Sequence, residues 1–179
     1  MTHSCAATTP RPTRVVLMGV SGCGKSTVGE GLAAHLGWRF VEGDSLHPPE
    51  NVAKMAAGQA LGDGDRAGWL ATLADVLAQA SAAGQGLVIS CSALKRAYRD
   101  LLRAASPGLR FVFLDIDREE AARRVAARAS SHFFSSSLVD SQFATLEPPG
   151  PDEAIRMDVD QSLTRLISQI LAVLKGPVP

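Results

Sequence analysis

Gly19-Val20-Ser21-Gly22-Cys23-Gly24-Lys25-Ser26 follows directly on the apolar run Val15-Val16-Leu17-Met18, and this order constrains the chain more than any other stretch. GxxxxGKS between a strand and a helix is the spacing of a phosphate-binding loop. The glycines permit a tight turn whose backbone N–H groups face an anion, and a helix opening near Lys25 adds the positive end of its dipole. Val28, Leu32 and Leu36 recur as the apolar face of that helix. A nucleoside triphosphate is the expected ligand, cradled by Gly19, Val20, Ser21, Gly22, Cys23, Gly24, Lys25, Ser26 and Thr27. Lys25 is expected to reach the β- and γ-phosphates, and Ser26 presents the hydroxyl expected on Mg²⁺. A dinucleotide fingerprint fits this spacing less well.

The chain of 179 residues is long enough for one domain with a real core and too short for two ordinary ones. Eighteen basic and eighteen acidic residues give a formal net charge of zero, which offers no long-range attraction to nucleic acid or an anionic membrane. A small ligand is expected, with no nucleic-acid or membrane partner. Cys5, Cys23 and Cys91 are too few and too scattered for a disulfide scaffold or a metal cluster, so they read as reduced thiols. Residues 1–13, rich in Thr, Ala and Pro, lack the apolar core of a signal peptide and read as a flexible segment. Together these features predict a cytoplasmic protein with a single domain over 14–175 and a short tail at 176–179.

Further strand-like runs at 39–41, 86–90, 109–114 and 154–159 are separated by stretches long enough for crossover helices, which predicts a parallel α/β sheet. Trp69, Leu70, Leu73, Val76 and Leu77 have helical spacing, as do Leu94, Tyr98, Leu101 and Leu102. The stripe Leu163, Leu166, Ile167, Ile170, Leu171 and Leu174 predicts a closing helix before the Gly176-Pro177 stop. Trp69 falls on a core-facing stripe rather than reading as an aromatic sugar platform.

Two clusters carry chemistry beyond the loop. Glu42-Gly43-Asp44-Ser45-Leu46-His47-Pro48 comes straight after the second strand, where a parallel sheet presents its functional loops. Asp44 there can orient an alcohol and accept its proton during phosphoryl transfer, and Glu42 can hold a Mg²⁺-bound water. The second cluster is Arg123, Arg124 and Arg128, leading into a tract over 130–137 with five serines around His132, Phe133 and Phe134. Arg124 and Arg128 are four residues apart, one helical face, and the serine tract suits a mobile loop. An arginine-bearing lid over about 129–146 would supply positive charge and exclude water, both needed if ATP is to be used rather than hydrolysed. For Arg96 and Arg99 a plain solvent-facing role is one of the readings left open.

Several separate motifs give a closer resemblance: GVSGCGKST at 19–27, EGDSLHPPENVAKM at 42–55, LGDGDRAGWL at 61–70, CSALKRAYRDLLR at 91–103 and SHFFSSSLVDSQFATLEPP at 131–149. With them the chain resembles the gluconokinase family, small P-loop kinases related in fold to shikimate and adenylate kinases. The resemblance implies a three-layer αβα fold with strand order 2-3-1-4-5 and a mobile lid. It implies transfer of the ATP γ-phosphate to the 6-hydroxyl of D-gluconate with Mg²⁺, in a homodimer serving the pentose phosphate or Entner–Doudoroff route. By the same resemblance Lys25, Asp44 and either Arg124 or Arg128 carry catalysis. Asp44, His47, Lys54, Asp63, Arg66, Lys95 and His132 bind the sugar acid. Arg124 and the Asp160-Gln161 turn hold adenine. Arg66 is the expected carboxylate partner, with Lys54 and Lys95 as alternatives. Departures from the family pattern are Glu42 where many relatives have Asp, Gly68 where a proline precedes the tryptophan, and the serine-rich lid. The competing readings are a kinase for another small sugar or polyol acid, and a nucleotide-controlled regulatory protein.

Overall fold

The computed structural model describes residues 13–128 and 136–175, with side chains omitted at 136 and 137. Five parallel strands, β1 (Arg14–Met18), β2 (Arg39–Glu42), β3 (Leu87–Ser90), β4 (Arg110–Asp115) and β5 (Ile155–Asp158), form one sheet in the order β2-β3-β1-β4-β5. This is the expected order. β1 is central because it is apolar on both faces: Val15, Val16, Leu17 and Met18 are all fully buried. Alternation along the strand divides them between two cores. Val15 and Leu17 meet α1 (Lys25–Leu36) and α7 (Leu163–Leu174) through Val28, Leu32, Leu166, Ile167 and Ile170. Val16 and Met18 meet α3 (Asp63–Ala82) and α4 (Arg96–Ala105) through Trp69, Leu73, Leu77, Tyr98 and Leu102. The three-layer architecture follows.

The remaining elements serve the C-terminal edge of the sheet. A single 3₁₀ turn over Gly43–Leu46 and the short α2 (Pro49–Ala56) follow β2. Next to β4, α5 (Arg118–Ala127) starts at the Asp117 side chain, which accepts the Glu120 N–H at 2.8 Å. α6 (Ser136–Thr145) was not read from the sequence, where its first residues belong to the serine tract. It forms because Leu138 and Val139, followed at helical intervals by Gln142, Phe143 and Leu146, give it a face to bury. The segment 1–12, residues 129–135 of the expected lid, and the tail 176–179 lie outside the described residues.

One of the readings left open is excluded here. Arg99 does not face solvent: it is 1% exposed, with Nε and Nη2 donating to the Glu153 carboxylate at 3.1 and 3.3 Å. Its Nη1 donates to the carbonyls of Ala93, Leu94 and Glu147 at 3.1, 3.3 and 3.1 Å. Ala93 has φ 44°, a left-handed conformation costly for a residue with a Cβ, and this carbonyl clamp holds it. The helical spacing of Tyr98, Arg99 and Leu102 brings the guanidinium onto the buried face of α4. Arg96, in contrast, is exposed.

Candidate active site

The loop after β1 turns on three left-handed glycines, Gly19, Gly22 and Gly24, at φ 138°, 87° and 96°. A Cβ on Gly19 would stand 2.8 Å from the Leu114 carbonyl oxygen, and one on Gly22 2.7 Å from that of Ala121, so neither position admits a side chain. Gly24 is the residue from which α1 departs, and the helix N-terminus therefore opens into the loop. Lys25 Nζ donates to the carbonyls of Gly19 and Val20 at 3.0 and 3.1 Å, holding the ammonium across the loop mouth. Ser21, Gly22, Gly24, Lys25, Ser26 and Thr27 line a pocket completed by Asp44, Val125 and Arg128. Val20 and Cys23 are buried beneath it. Burial pushes the Cys23 thiol up, with Lys25 offsetting only part of the shift, so it packs rather than reacts.

Asp44 reaches this pocket because its turn is locked from below. A Cβ at Gly43 would lie 2.0 Å from the Ser90 carbonyl oxygen, so the turn passes closer to β3 than any side chain allows. Gly43 N–H donates to Ser90 Oγ at 3.0 Å, Ser90 Oγ donates to the Glu42 carboxylate, and Trp69 Nε1 donates to the Gly43 carbonyl at 2.8 Å. Burial raises the Asp44 carboxyl above its ordinary 3.8; Lys25 and Arg66 pull it down, and Glu42 adds to the rise. Asp44 therefore binds a proton more readily than an exposed aspartate.

Beyond Asp44 lie the sugar-acid candidates. His47 stacks on Trp69 with ring centroids 4.1 Å apart and planes 18° off parallel, and its Nδ1 faces Asn51 Nδ2 at 3.3 Å. Trp69 is thus both core residue and platform for His47. Burial, with the Arg66 charge behind it, lowers His47 to about 4, so the ring is neutral at pH 7. Between about pH 6.5 and 4 the unfolded chain takes up this proton and the folded chain does not. The corresponding stability, up to about 3 kcal/mol, is full above pH 6.5 and is expected to fall as the pH drops toward 4. Urea unfolding at both ends of the range checks this; His47→Gln should flatten the dependence.

The three cationic candidates differ in how their charge is engaged. Lys54 pairs with Asp65 at 2.5 Å, and Lys95 with Asp63 at 2.7 Å, a carboxylate that also accepts from Tyr98 Oη. These partners hold both aspartates below their usual range, Asp63 through Lys95 and Tyr98, Asp65 through Lys54 and the Gly62 N–H. Arg66 is 7% exposed, its Nε donates to the Leu61 carbonyl at 3.3 Å, and it forms no ion pair among the described residues. It lines a narrow cleft with Met55, Ala60, Leu61, Leu138, Ser141 and Gln142. His132 lies outside the described residues.

The arginine cluster separates. Arg128 is the capping residue after α5, and it lines the phosphate pocket. Arg124 turns into a different cleft with Asp115, Ile116, Asp117, Asp158, Val159 and Asp160, where Glu120 accepts from its Nε at 2.6 Å. The two arginines therefore line different clefts, although four residues separate them. Arg123 points outward onto Glu120, which it and Arg124 together lower to about 2. The Arg124 cleft is walled by the turn after β5. Gln161 lies outside that wall, its amide nitrogen donating to the Asp158 carbonyl at 2.6 Å and to Gln169 Oε1 at 3.0 Å.

Sequence reasoning gave Gln142, Asn51, Ser90 and Tyr98 no role. Gln142 Oε1 accepts the Ser21 N–H at 2.7 Å, joining α6 to the phosphate loop. Asn51 Nδ2 donates to the Asp65 carbonyl at 2.7 Å, joining α2 to α3. The burial of these residues is the missing signal, and only the helical interval of Gln142 from Leu138 and Leu146 hinted at it.

The profile of the shikimate kinase family matches residues 21–147. Gluconokinase of Gluconobacter oxydans (strain 621H) is 52% identical over 145 residues, 81% of each chain. Thermoresistant gluconokinase of Escherichia coli (strain K12) is 43% identical over 162 residues, 89% of this chain and 92% of that one. A gluconokinase crystal structure from Sinorhizobium meliloti 1021 superposes with a TM-score of 0.82 at 47% identity, covering 92% of each chain. Strand order, phosphate loop and the Asp44 turn thus coincide with likeness along most of the sequence, and the chain belongs to the gluconokinase family of shikimate-kinase-like phosphotransferases.

Proposed function

We propose that this chain is an ATP-dependent gluconokinase, transferring the γ-phosphoryl group of ATP to the 6-hydroxyl of D-gluconate to give 6-phospho-D-gluconate and ADP. The observation that carries the reading is Asp44, on one wall of the phosphate pocket with Lys25 and Arg128, close enough to buried Arg66 to feel its charge. An acceptor whose carboxylate pairs with Arg66 would lie across His47 and present a hydroxyl to Asp44. As the hydroxyl oxygen attacks the γ-phosphorus and the bond to ADP breaks, Asp44 takes the hydroxyl proton. Its raised pKa makes it a better acceptor than an exposed aspartate. Lys25 and Arg128 stand against the charge on the transferring group, and Arg124 with the turn after β5 holds adenine. The engagement of Lys54 and Lys95 by Asp65 and Asp63 favours Arg66 as the carboxylate partner.

Mg²⁺ belongs to this proposal. Ser26 lines the phosphate pocket, and the Glu42 carboxylate stands beside its Asp44 wall. Hydroxyl and carboxylate oxygens suit a hard cation that keeps several waters. No group of three or more His, Cys, Asp or Glu among the described residues forms a metal cage, which fits an ion arriving with phosphates. Bound there, Mg²⁺ would neutralise charge on the β- and γ-phosphate oxygens. The family resemblance extends the proposal to a cytoplasmic homodimer. No helix among the described residues is long and apolar enough to cross a membrane.

A kinase for another small sugar acid would share this geometry, so the acceptor decides. ADP release should be followed with Mg-ATP and D-gluconate, shikimate or other sugar acids in turn, with mass analysis of the product. Turnover selective for D-gluconate and yielding the 6-phosphate is expected. ATP binding without transfer to D-gluconate would overturn the reading in favour of another acceptor or a regulatory role.

A further inference from the structure

Gln142 is 8% exposed and lies between two functional spaces. Its Oε1 accepts the Ser21 N–H at 2.7 Å, and Ser21 lines the phosphate pocket. The same side chain lines the narrow cleft of Arg66 and Ser141. A backbone N–H can only donate, so Oε1 must face Ser21, and the amide cannot flip without losing that bond. The two hydrogens of Nε2 are thereby directed to the opposite edge. Nε2 forms no hydrogen bond among the described residues, and no side-chain polar atom there is both sealed from solvent and unpartnered, so Nε2 is not sealed from solvent. The cleft shared with Arg66 is the space that Gln142 borders.

We infer that Gln142 is a specificity-determining residue, whose Nε2 donates to the acceptor's carboxylate beside the Arg66 guanidinium. Arg66 supplies charge; Gln142 supplies a fixed neutral donor whose orientation is set by the nucleotide loop. A planar carboxylate, with two oxygens able to accept at once, matches this pair better than a lone hydroxyl does. The inference rests on the gluconokinase reading and adds to it a residue that also contacts the phosphate loop.

Two substitutions with opposite side effects test it. Gln142→Glu keeps an oxygen for the Ser21 N–H but replaces the donor with a carboxylate. Gln142→Met removes donor and acceptor without adding charge. Both are expected to raise the KM for D-gluconate about tenfold or more, the usual effect of losing a hydrogen bond to a charged group. Only the Met variant should also raise the KM for ATP, and Gln142→Glu should leave it within about twofold. A D-gluconate KM unchanged in either variant would overturn the inference, as would an ATP KM that rises in step with it in Gln142→Glu. If one variant does not fold, the D-gluconate KM of the other decides. Wild-type enzyme inactive on D-gluconate would instead refute the gluconokinase reading itself.

Discussion

Asp44→Asn should lower kcat by about 10²–10⁴-fold while the affinity for ATP stays within about twofold. The asparagine preserves the turn, since Gly43, Ser90 and Trp69 lock it through the backbone and through Glu42 rather than through the Asp44 side chain. Only the proton acceptor is lost. In the wild type, kcat/KM should fall on the acid side as Asp44 is protonated. Because burial raises that carboxyl, the fall should be centred above the ordinary aspartate value of 3.8, and the mutant should lack this limb. Single-turnover transfer with isothermal titration of ATP separates the two effects. Equal transfer by mutant and wild type would remove Asp44 from catalysis.

Arg128→Ala and Arg124→Ala are expected to fail differently, although the two residues are only four positions apart. Arg128 shares the pocket of Lys25 and Ser26, so its loss should reduce kcat by about 10³-fold, the lower range for an arginine on a transferring phosphoryl group. Arg124 lies in the cleft with Asp158 and Val159, so its loss should raise the ATP KM about tenfold and leave kcat within about threefold. Steady-state kinetics with ATP varied at saturating D-gluconate distinguishes the patterns. The reverse pattern would exchange their roles.

The sheet and the phosphate loop were legible because local rules decide them. Apolar runs mark the strands, and GxxxxGKS demands glycine at 19 and 24, both of which adopt positive φ. Asp44 was legible by its place after the second strand. The burial of Arg99 was not legible because composition places an arginine outside, whereas Glu153 and three carbonyls compensate it. A partner 54 residues away cannot be seen in a local pattern. α6 was missed for the opposite reason, since serines at its start hid an apolar face that exists only against α5 and the loop. Arg124 and Arg128 share a helical spacing, yet they line separate clefts, a difference that spacing alone does not encode.

The Arg99 clamp also determines how α6 can move. Glu147, two residues past the end of this helix at Thr145, is fixed three ways: its N–H donates to the Leu94 carbonyl at 2.8 Å, its carbonyl accepts from Arg99, and its carboxylate accepts the Arg96 N–H at 2.6 Å. That end is anchored, so a displacement of α6 would turn about it. A ten-residue helix is about 15 Å long, so a rotation of about 20° about Glu147 would displace the Ser136 end by roughly 5 Å. Gln142, about halfway along, would move roughly 2–3 Å, enough to part it from Ser21. Swinging this lever outward would therefore break its contact with the nucleotide loop and separate Gln142 from Arg66 in the same stroke.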